Sequence, residues 1–181
     1  MAPTLETPRL LLRPLVLEDT EEMQELFPHW EIVRYLSAVV PWPYPADGAL
    51  RYVRDQALPA VERGEAWHFT LRRKAAPEGL VGAIGLFSAG SDNRGFWVAL
   101  PFQGRGYATE ACSAATAYWF EVLGQKSLRV RKAIANEASR RISAREGMRV
   151  VERVESDFVS GRLPAEIWEI SAEEWRARRA G

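Results

Sequence analysis

Hydrophobic and polar positions along this chain change period several times, and each change marks an element. Leu10, Leu11, Leu12 and Leu15 form a short apolar run that reads as a first strand, with Pro14 at its end or edge. Met23, Leu26 and Phe27 then recur at helical spacing. Asp19 and Thr20 can cap this helix from about Glu18, Glu21 and Glu22 suit its first turn, and Pro28 stops it. A short helical pattern over Ile32, Val33, Tyr35 and Leu36 gives way to Pro41-Trp42-Pro43-Tyr44-Pro45, a stiff aromatic loop. Residues 46–58 fit a longer helix with Leu50, Val53, Ala57 and Leu58 on one face, which Pro59 bends or ends.

From there the pattern becomes strand-like. Trp67 to Arg72 and Leu80 to Phe87 flank Lys74-Ala75-Ala76-Pro77-Glu78-Gly79, the composition of a hairpin turn, and Gly95 to Leu100 supplies a third strand. Three strands joined this way predict an antiparallel meander. Between Arg105 and Leu123, Ala108, Ala111, Cys112, Ala115, Trp119 and Val122 return at helical spacing, with Gly124 as C-cap. A strand over Leu128 to Ile134, a helix over Glu137 to Arg145 stopped by Gly147, strands near Val150 to Phe158 and Ile167 to Ile170, and a terminal helix over Ala172 to Arg179 complete the chain. The order β-α-α-β-β-β-α-β-α-β-β-α predicts a mixed α/β (α+β) sheet, and without repeats or a linker one domain over residues 1–181 is expected.

Composition narrows the functions available. The chain has 181 residues, 47% of them hydrophobic, with seven Trp and seven Phe, enough for one sizeable core. Lys plus Arg balances Asp plus Glu at 24 each, so no global field favours nucleic acid or an anionic membrane. The single cysteine, Cys112, is expected to be a buried, inert thiol, and a reducing, cytoplasmic setting is expected. The N-terminus lacks a signal-peptide pattern, and no apolar run approaches bilayer length. With two histidines, His29 and His68, no metal site is expected.

The strongest chemical signal is Gln103-Gly104-Arg105-Gly106-Tyr107-Ala108-Thr109, a glycine turn between a strand and a helix. Two glycines allow a close backbone approach, and the unpaired amides at the helix start face the loop, which suits an anion. A P-loop would need Gly-Lys-Ser/Thr where Gly106-Tyr107-Ala108 stands. A dinucleotide fingerprint would want a third glycine at position 109 and a following parallel strand ending in an acidic residue.

The loop instead resembles the acyl-CoA site of the GCN5-related N-acetyltransferase superfamily, and the resemblance is nearly full length. Gly95-Phe96-Trp97-Val98, Asn136-Glu137-Ala138-Ser139, Gly147-Met148 and the opening Thr7-Pro8-Arg9-Leu10-Leu11-Leu12-Arg13-Pro14 are similar to the branch acetylating N-terminal amines of ribosomal proteins. The resemblance implies that superfamily's fold: a mostly antiparallel sheet splayed between two central strands, with flanking helices. It implies acetyl-CoA as cofactor, its pantetheine arm paired with the backbone of Val98 and Leu100 and its pyrophosphate held by Gln103, Gly104, Arg105, Gly106, Tyr107, Ala108 and Thr109. Arg140, Arg141 and Arg145 could meet its phosphates, while Glu110 is better suited to the helix dipole or to pinning a neighbouring strand.

The implied reaction is direct attack of a neutral amine on the thioester. Ser139 matches the family's Asn-x-x-Ser serine and could donate to the departing sulfur or to the pantetheine arm, although capping alone would also explain it; Asn136 has the same two readings. The tyrosine that many members place after this asparagine is missing from Ser139-Arg140-Arg141-Ile142-Ser143-Ala144-Arg145. The base is open among Glu166, Glu169, Asp157, His29 and a water chain. Trp30, Trp42, Tyr44 and Trp97 are candidates to line the acceptor cleft. The partner is an amine-bearing acceptor: the α-amine of a ribosomal or other protein, or alternatively a polyamine, amino acid or aminoglycoside. A non-catalytic acyl-CoA sensor and a homodimer are also compatible.

Overall fold

The computed structural model describes residues 2–180. Its strands form two sheets. In the first, β1 (Leu5–Glu6), β2 (Leu10–Pro14), β3 (Ala66–Arg73), β4 (Ala76–Phe87) and β5 (Arg94–Val98) pair in sequence order. In the second, β6 (Ser127–Ala133) and β7 (Arg149–Phe158) flank β8 (Gly161–Ser171). Every ladder is antiparallel.

The sheets meet where β5 and β6 begin, and there the join is made chiefly by Asn93. Its backbone N–H donates to Arg129 O (2.7 Å), its side-chain oxygen accepts from Arg129 N (2.9 Å), and its amide nitrogen donates to Phe87 O (3.0 Å). The two strands run side by side in one direction, since further along Lys132 overlies the Phe96 ring. They share no ladder, so the gap widens into a wedge. This is the splay that the resemblance implied.

Helix α5 (Tyr107–Ala117) fastens both sheets from one side. Its small residues Ala111, Cys112 and Ala115 are fully buried between Leu10, Leu12, Phe69 and Leu71 of the first sheet and Leu128, Val130 and Ile170 of the second. Arg94, wholly buried, bridges the same layers: Nη2 donates to Glu146 Oε2 (2.6 Å), Nη1 to Oε1 (2.8 Å), and Thr116 Oγ1 donates to the same carboxylate (2.8 Å). Helix α6 (Glu137–Arg145) follows β6, and α7 (Ala172–Ala180) closes the chain. On the opposite face of the first sheet lie α1 (Thr20–Leu26), α2 (Trp30–Val33), α3 (Gly48–Tyr52) and α4 (Leu58–Glu62).

Several boundaries differ from the sequence reading. The helix over 46–58 runs on through Pro59 to Glu62, because a π turn at Val53–Ala57 widens the coil ahead of a residue that has no N–H to give. A similar turn at Tyr118–Val122 ends the coil after α5. β4 begins at Ala76, so the turn is tighter than residues 74–79, with bulges in the pairing at Leu71–Arg73. The strand expected over 95–100 stops at Val98, and Leu100 opens a short 3-10 turn, Leu100–Phe102. β8 starts at Gly161 rather than Ile167. Pro164 is tolerated there because its polar groups point toward β6 just beyond that ladder's last pair, where its carbonyl accepts from Ile134 N (2.9 Å).

Candidate active site

Ala99 donates its N–H to Val81 O across the β4–β5 ladder (2.9 Å), with Gly82 opposite Val98 and Ile84 opposite Phe96. Alternation then directs the backbone polar groups of Phe96 and Val98 away from β4 and into the wedge. Val98 O accepts there from Gln103 Nε2 (2.9 Å), which folds the loop back against the strand it leaves. Phe96 is the residue that the sequence reading missed on this edge; Leu100, already turning in the 3-10 segment, lies outside the ladder.

The loop itself depends on left-handed glycines, Gly104 at φ 71° and Gly106 at φ 81°. A Cβ on Gly104 would meet no atom within 4 Å, so its requirement is conformational, on a side open to a ligand. Glu110 N makes the first helical bond, to Gly106 O (3.1 Å), which leaves the N–H groups of residues 107–109 for another acceptor. Arg9 braces the loop. Its Nη1 donates to Arg105 O (2.9 Å), its guanidinium sits 4.8 Å from the Tyr107 ring centroid, and its Nε donates to Glu110 Oε2 (2.7 Å). Glu110 also accepts from Arg9 N (2.8 Å) and from the Thr7 hydroxyl, so it pins the β1–β2 turn to α5. Burial raises the Glu110 carboxyl pKa, and these donors more than offset that, holding it below its ordinary value.

Opposite the loop, Asn136 is the N-cap of α6, its Oδ1 accepting from Ser139 N (3.3 Å). The Ser139 hydroxyl makes no hydrogen bond among the described residues. Asn136, Ser139, Arg141 and Arg145 line the same cavity as Gln103, Gly104, Gly106, Tyr107, Ala108 and Thr109. An open glycine cradle, free helix-start amides and an unpaired strand edge in one channel suit an extended ligand with a phosphate group at one end.

That cavity, about 1000 Å³, continues through the wedge to the opposite face of the first sheet. There Phe27, Ile32, Tyr35, Leu36, Tyr44 and Trp97 line it. Phe27 packs edge-on against Tyr44 (5.1 Å) and Trp97 (5.3 Å). The segment after α2 reaches across to the β7–β8 hairpin to roof this end: Val159 N donates to Leu36 O (2.9 Å) and Ser160 N to Arg34 O (3.1 Å). Burial raises Tyr44 and Tyr52 to about 12, with Tyr44 adding to the shift of Tyr52, and lowers His68, also in the lining, to about 4.

Of the four aromatic candidates, Tyr44 and Trp97 line this cavity. Trp30, at the start of α2, and Trp42, in the proline-rich loop, do not line the cavity; they pack on each other at 5.8 Å, each about two-fifths exposed. Of the candidate bases, Glu166 lies off the cavity with Arg140 on it (2.8 Å), Glu169 is paired with Arg129 (3.4 Å), and His29 is outside the lining. Asp157 lines the cavity, 3.7 Å from Arg162. Cys112 is fully buried, and burial raises its thiol to about 11.

Residues 9–149 match the family model described as the acetyltransferase (GNAT) domain. An uncharacterized N-acetyltransferase of Bacillus subtilis strain 168, YoaA, is 28% identical over 152 residues, covering 81% of this chain and 83% of that protein. Among solved structures, the ribosomal-protein-S5-alanine acetyltransferase of Vibrio fischeri is similar with a TM-score of 0.80 at 12% identity, over 96% of this chain and 99% of that one. Spermidine N-acetyltransferase of Vibrio cholerae, in complex with CoA and spermine, has a TM-score of 0.78 at 18% identity, over 94% and 99%. At these identities the two structures speak for the fold.

Proposed function

Because the chain belongs to the GNAT acetyltransferase family, and so is an N-acetyltransferase drawing on acetyl-CoA, we propose that its acceptor is the N-terminal α-amine of a ribosomal or other protein. One observation carries this reading: Phe27, Ile32, Tyr35, Leu36, Tyr44 and Trp97 make the acceptor end of the cavity largely aromatic and aliphatic, and among the described residues its carboxylates Glu31, Asp55 and Asp157 share the lining with Arg34 and Arg51 rather than forming a purely acidic surface for a polycation. Among its acidic residues, Asp55 is paired with Arg54 (2.6 Å) and Asp157 lies near Arg162 (3.7 Å). The motifs around Phe96, Gln103 and Asn136 support the same branch.

When bound, acetyl-CoA supplies an activated thioester carbon. The chain's residues would orient it: the 104–109 backbone would take the pyrophosphate, Arg141 and Arg145 in the lining and Arg105 on the exposed loop would supply charge toward its phosphates, and Phe96 and Val98 would offer their strand edge to the pantetheine arm. A backbone N–H on that edge would donate to the thioester carbonyl oxygen as negative charge develops. Ser139 contributes a free hydroxyl to the arm. Commitment of Glu166 and Glu169 to arginines also favours an α-amine, which has a pKa of about 8 and loses its proton more readily than a lysine near about 10.

This reading takes residues 1–181 as one cytoplasmic domain; among the described residues no helix is long and apolar enough to cross a membrane. It includes a homodimer, supported by the edge strand β7 with exposed Val150 and Val151, and light scattering tests that. The acceptor is tested by thiol release from acetyl-CoA with N-terminal peptides, lysine peptides and spermidine. Release with α-amine peptides is expected. A preference for spermidine would replace the acceptor assignment, and binding without turnover on any amine would make the protein a sensor.

A further inference from the structure

Lys132 stands in the wedge between β5 and β6 and lines the cavity there, beside the backbone edge of Phe96 and Val98. It is only 6% exposed, its Nζ lies 5.0 Å from the Phe96 ring centroid, and among the described residues it makes neither an ion pair nor a hydrogen bond. Every nearby carboxylate is otherwise engaged. Glu166, its cross-strand partner on β8, holds Arg140; Glu146, after α6, holds Arg94 and Thr116; Asp92, before β5, accepts from Arg131 N (3.1 Å). Arg94 on β5 and Cys112 on α5 complete the titratable groups that face it. An ammonium on a largely buried side chain that opens only to the cavity is costly unless a ligand completes its surroundings.

We propose that Lys132 is a catalytic residue that holds the sulfur of coenzyme A and protonates it as it departs. The proposal rests on acetyl-CoA as donor. The acceptor nitrogen's lone pair forms the C–N bond to the thioester carbonyl carbon, and the C–S bond breaks with its electron pair on sulfur. Lys132 Nζ gives that sulfur a proton, yielding the free thiol, and takes up through solvent the proton that the acceptor nitrogen sheds. Burial first, then the charge of Arg94, lowers Lys132 to about 8, against the partial opposing effect of Cys112, Asp92 and Glu146. That value lies near an ordinary thiol's pKa of about 8.5, the match that favours proton transfer between them. Tyr44 and Tyr52, held at about 12 on the far side of the first sheet, are weak proton donors by comparison.

The test is the ionisation of bound coenzyme A, followed by thiolate ultraviolet difference absorbance across pH in the wild type, Lys132→Met and Lys132→Arg. The bound thiol is expected to ionise about one pH unit lower in the wild type than in Lys132→Met, a tenfold change in thiolate fraction at fixed pH. Lys132→Arg retains the cation and keeps the low value, while its kcat falls because the guanidinium does not give up its proton in this range. Equal thiol ionisation in the wild type and Lys132→Met, with coenzyme A bound in both, overturns the proposal. If Lys132→Met does not fold, the arginine variant decides: ionisation no lower than in free coenzyme A overturns it. Failure of the wild type to bind coenzyme A at all would overturn the donor assignment as well.

Discussion

Glu110 gathers donors from Thr7 and Arg9, about a hundred positions away in the chain, and Arg9 passes the support on to the carbonyl of Arg105. Removing the carboxylate strands partly buried donors, so Glu110→Ala should cost about 1–3 kcal/mol in urea unfolding. Its folded pKa lies below the ordinary 4.5, so its contribution is complete above that pH and disappears as pH falls through the lower folded value. His68 works in a higher window. With its folded value at about 4 against an ordinary 6.5, the unfolded chain takes up the proton first, and stability should fall as pH drops from 6.5 toward 4. His68→Gln should remove that part of the slope, measured by thermal unfolding across the range. The sequence offers two readings of Glu110, support for the helix dipole or pinning of a neighbouring strand, and its bonds to Thr7 and Arg9 show the pin. Arg9 and His68 carried no such mark, because what defines each is a neighbour far along the chain.

At the scale of elements, the wedge is set by what β5 does on each edge. Gly82 lets β5 lie close on β4: a Cβ there would sit 2.3 Å from Trp97 O. Gly82→Ala should therefore displace β5, cost about 1–3 kcal/mol in urea unfolding and weaken coenzyme A binding by calorimetry. On the other edge, the Asn93 side chain bonds both Phe87 and Arg129. Asn93→Ala should loosen the apex, lowering stability by about 1–3 kcal/mol with a several-fold loss of coenzyme A affinity. Most elements were legible from periodicity and capping. The exceptions have local causes: Pro59 and Pro164 look like breakers, yet a π turn accommodates one and the end of a ladder accommodates the other. Asn93 carries no mark in the sequence, because its bonds to a distant strand leave no local pattern.

For the whole molecule, one cavity reaches both faces of the first sheet through the wedge, and the proposed function has donor and acceptor enter it from opposite ends. A ligand spanning β5, the glycine loop and α6 ties both sheets together. Coenzyme A at a hundred times its Kd should add about 2.7 kcal/mol and raise Tm by roughly 5–10 °C in a thermal-shift assay. Gly106→Trp, placing a large side chain at φ 81° against Arg9, should abolish that rise. An unchanged rise in this variant would show that the loop is not the binding site.

The sequence by itself determined the order of elements, the glycine loop and, through its resemblance, the acetyl-CoA donor. These are encoded locally, in hydrophobic period, cap residues and backbone angles that only glycine adopts readily. Tertiary structure decided which side chains share the cavity: it set Tyr44 and Trp97 inside, turned Trp30 and Trp42 outward, assigned Glu166 to Arg140 and brought Lys132 over Phe96. Each of those placements depends on where separate strands and loops cross in space, and that is fixed by the packing of the two sheets around α5.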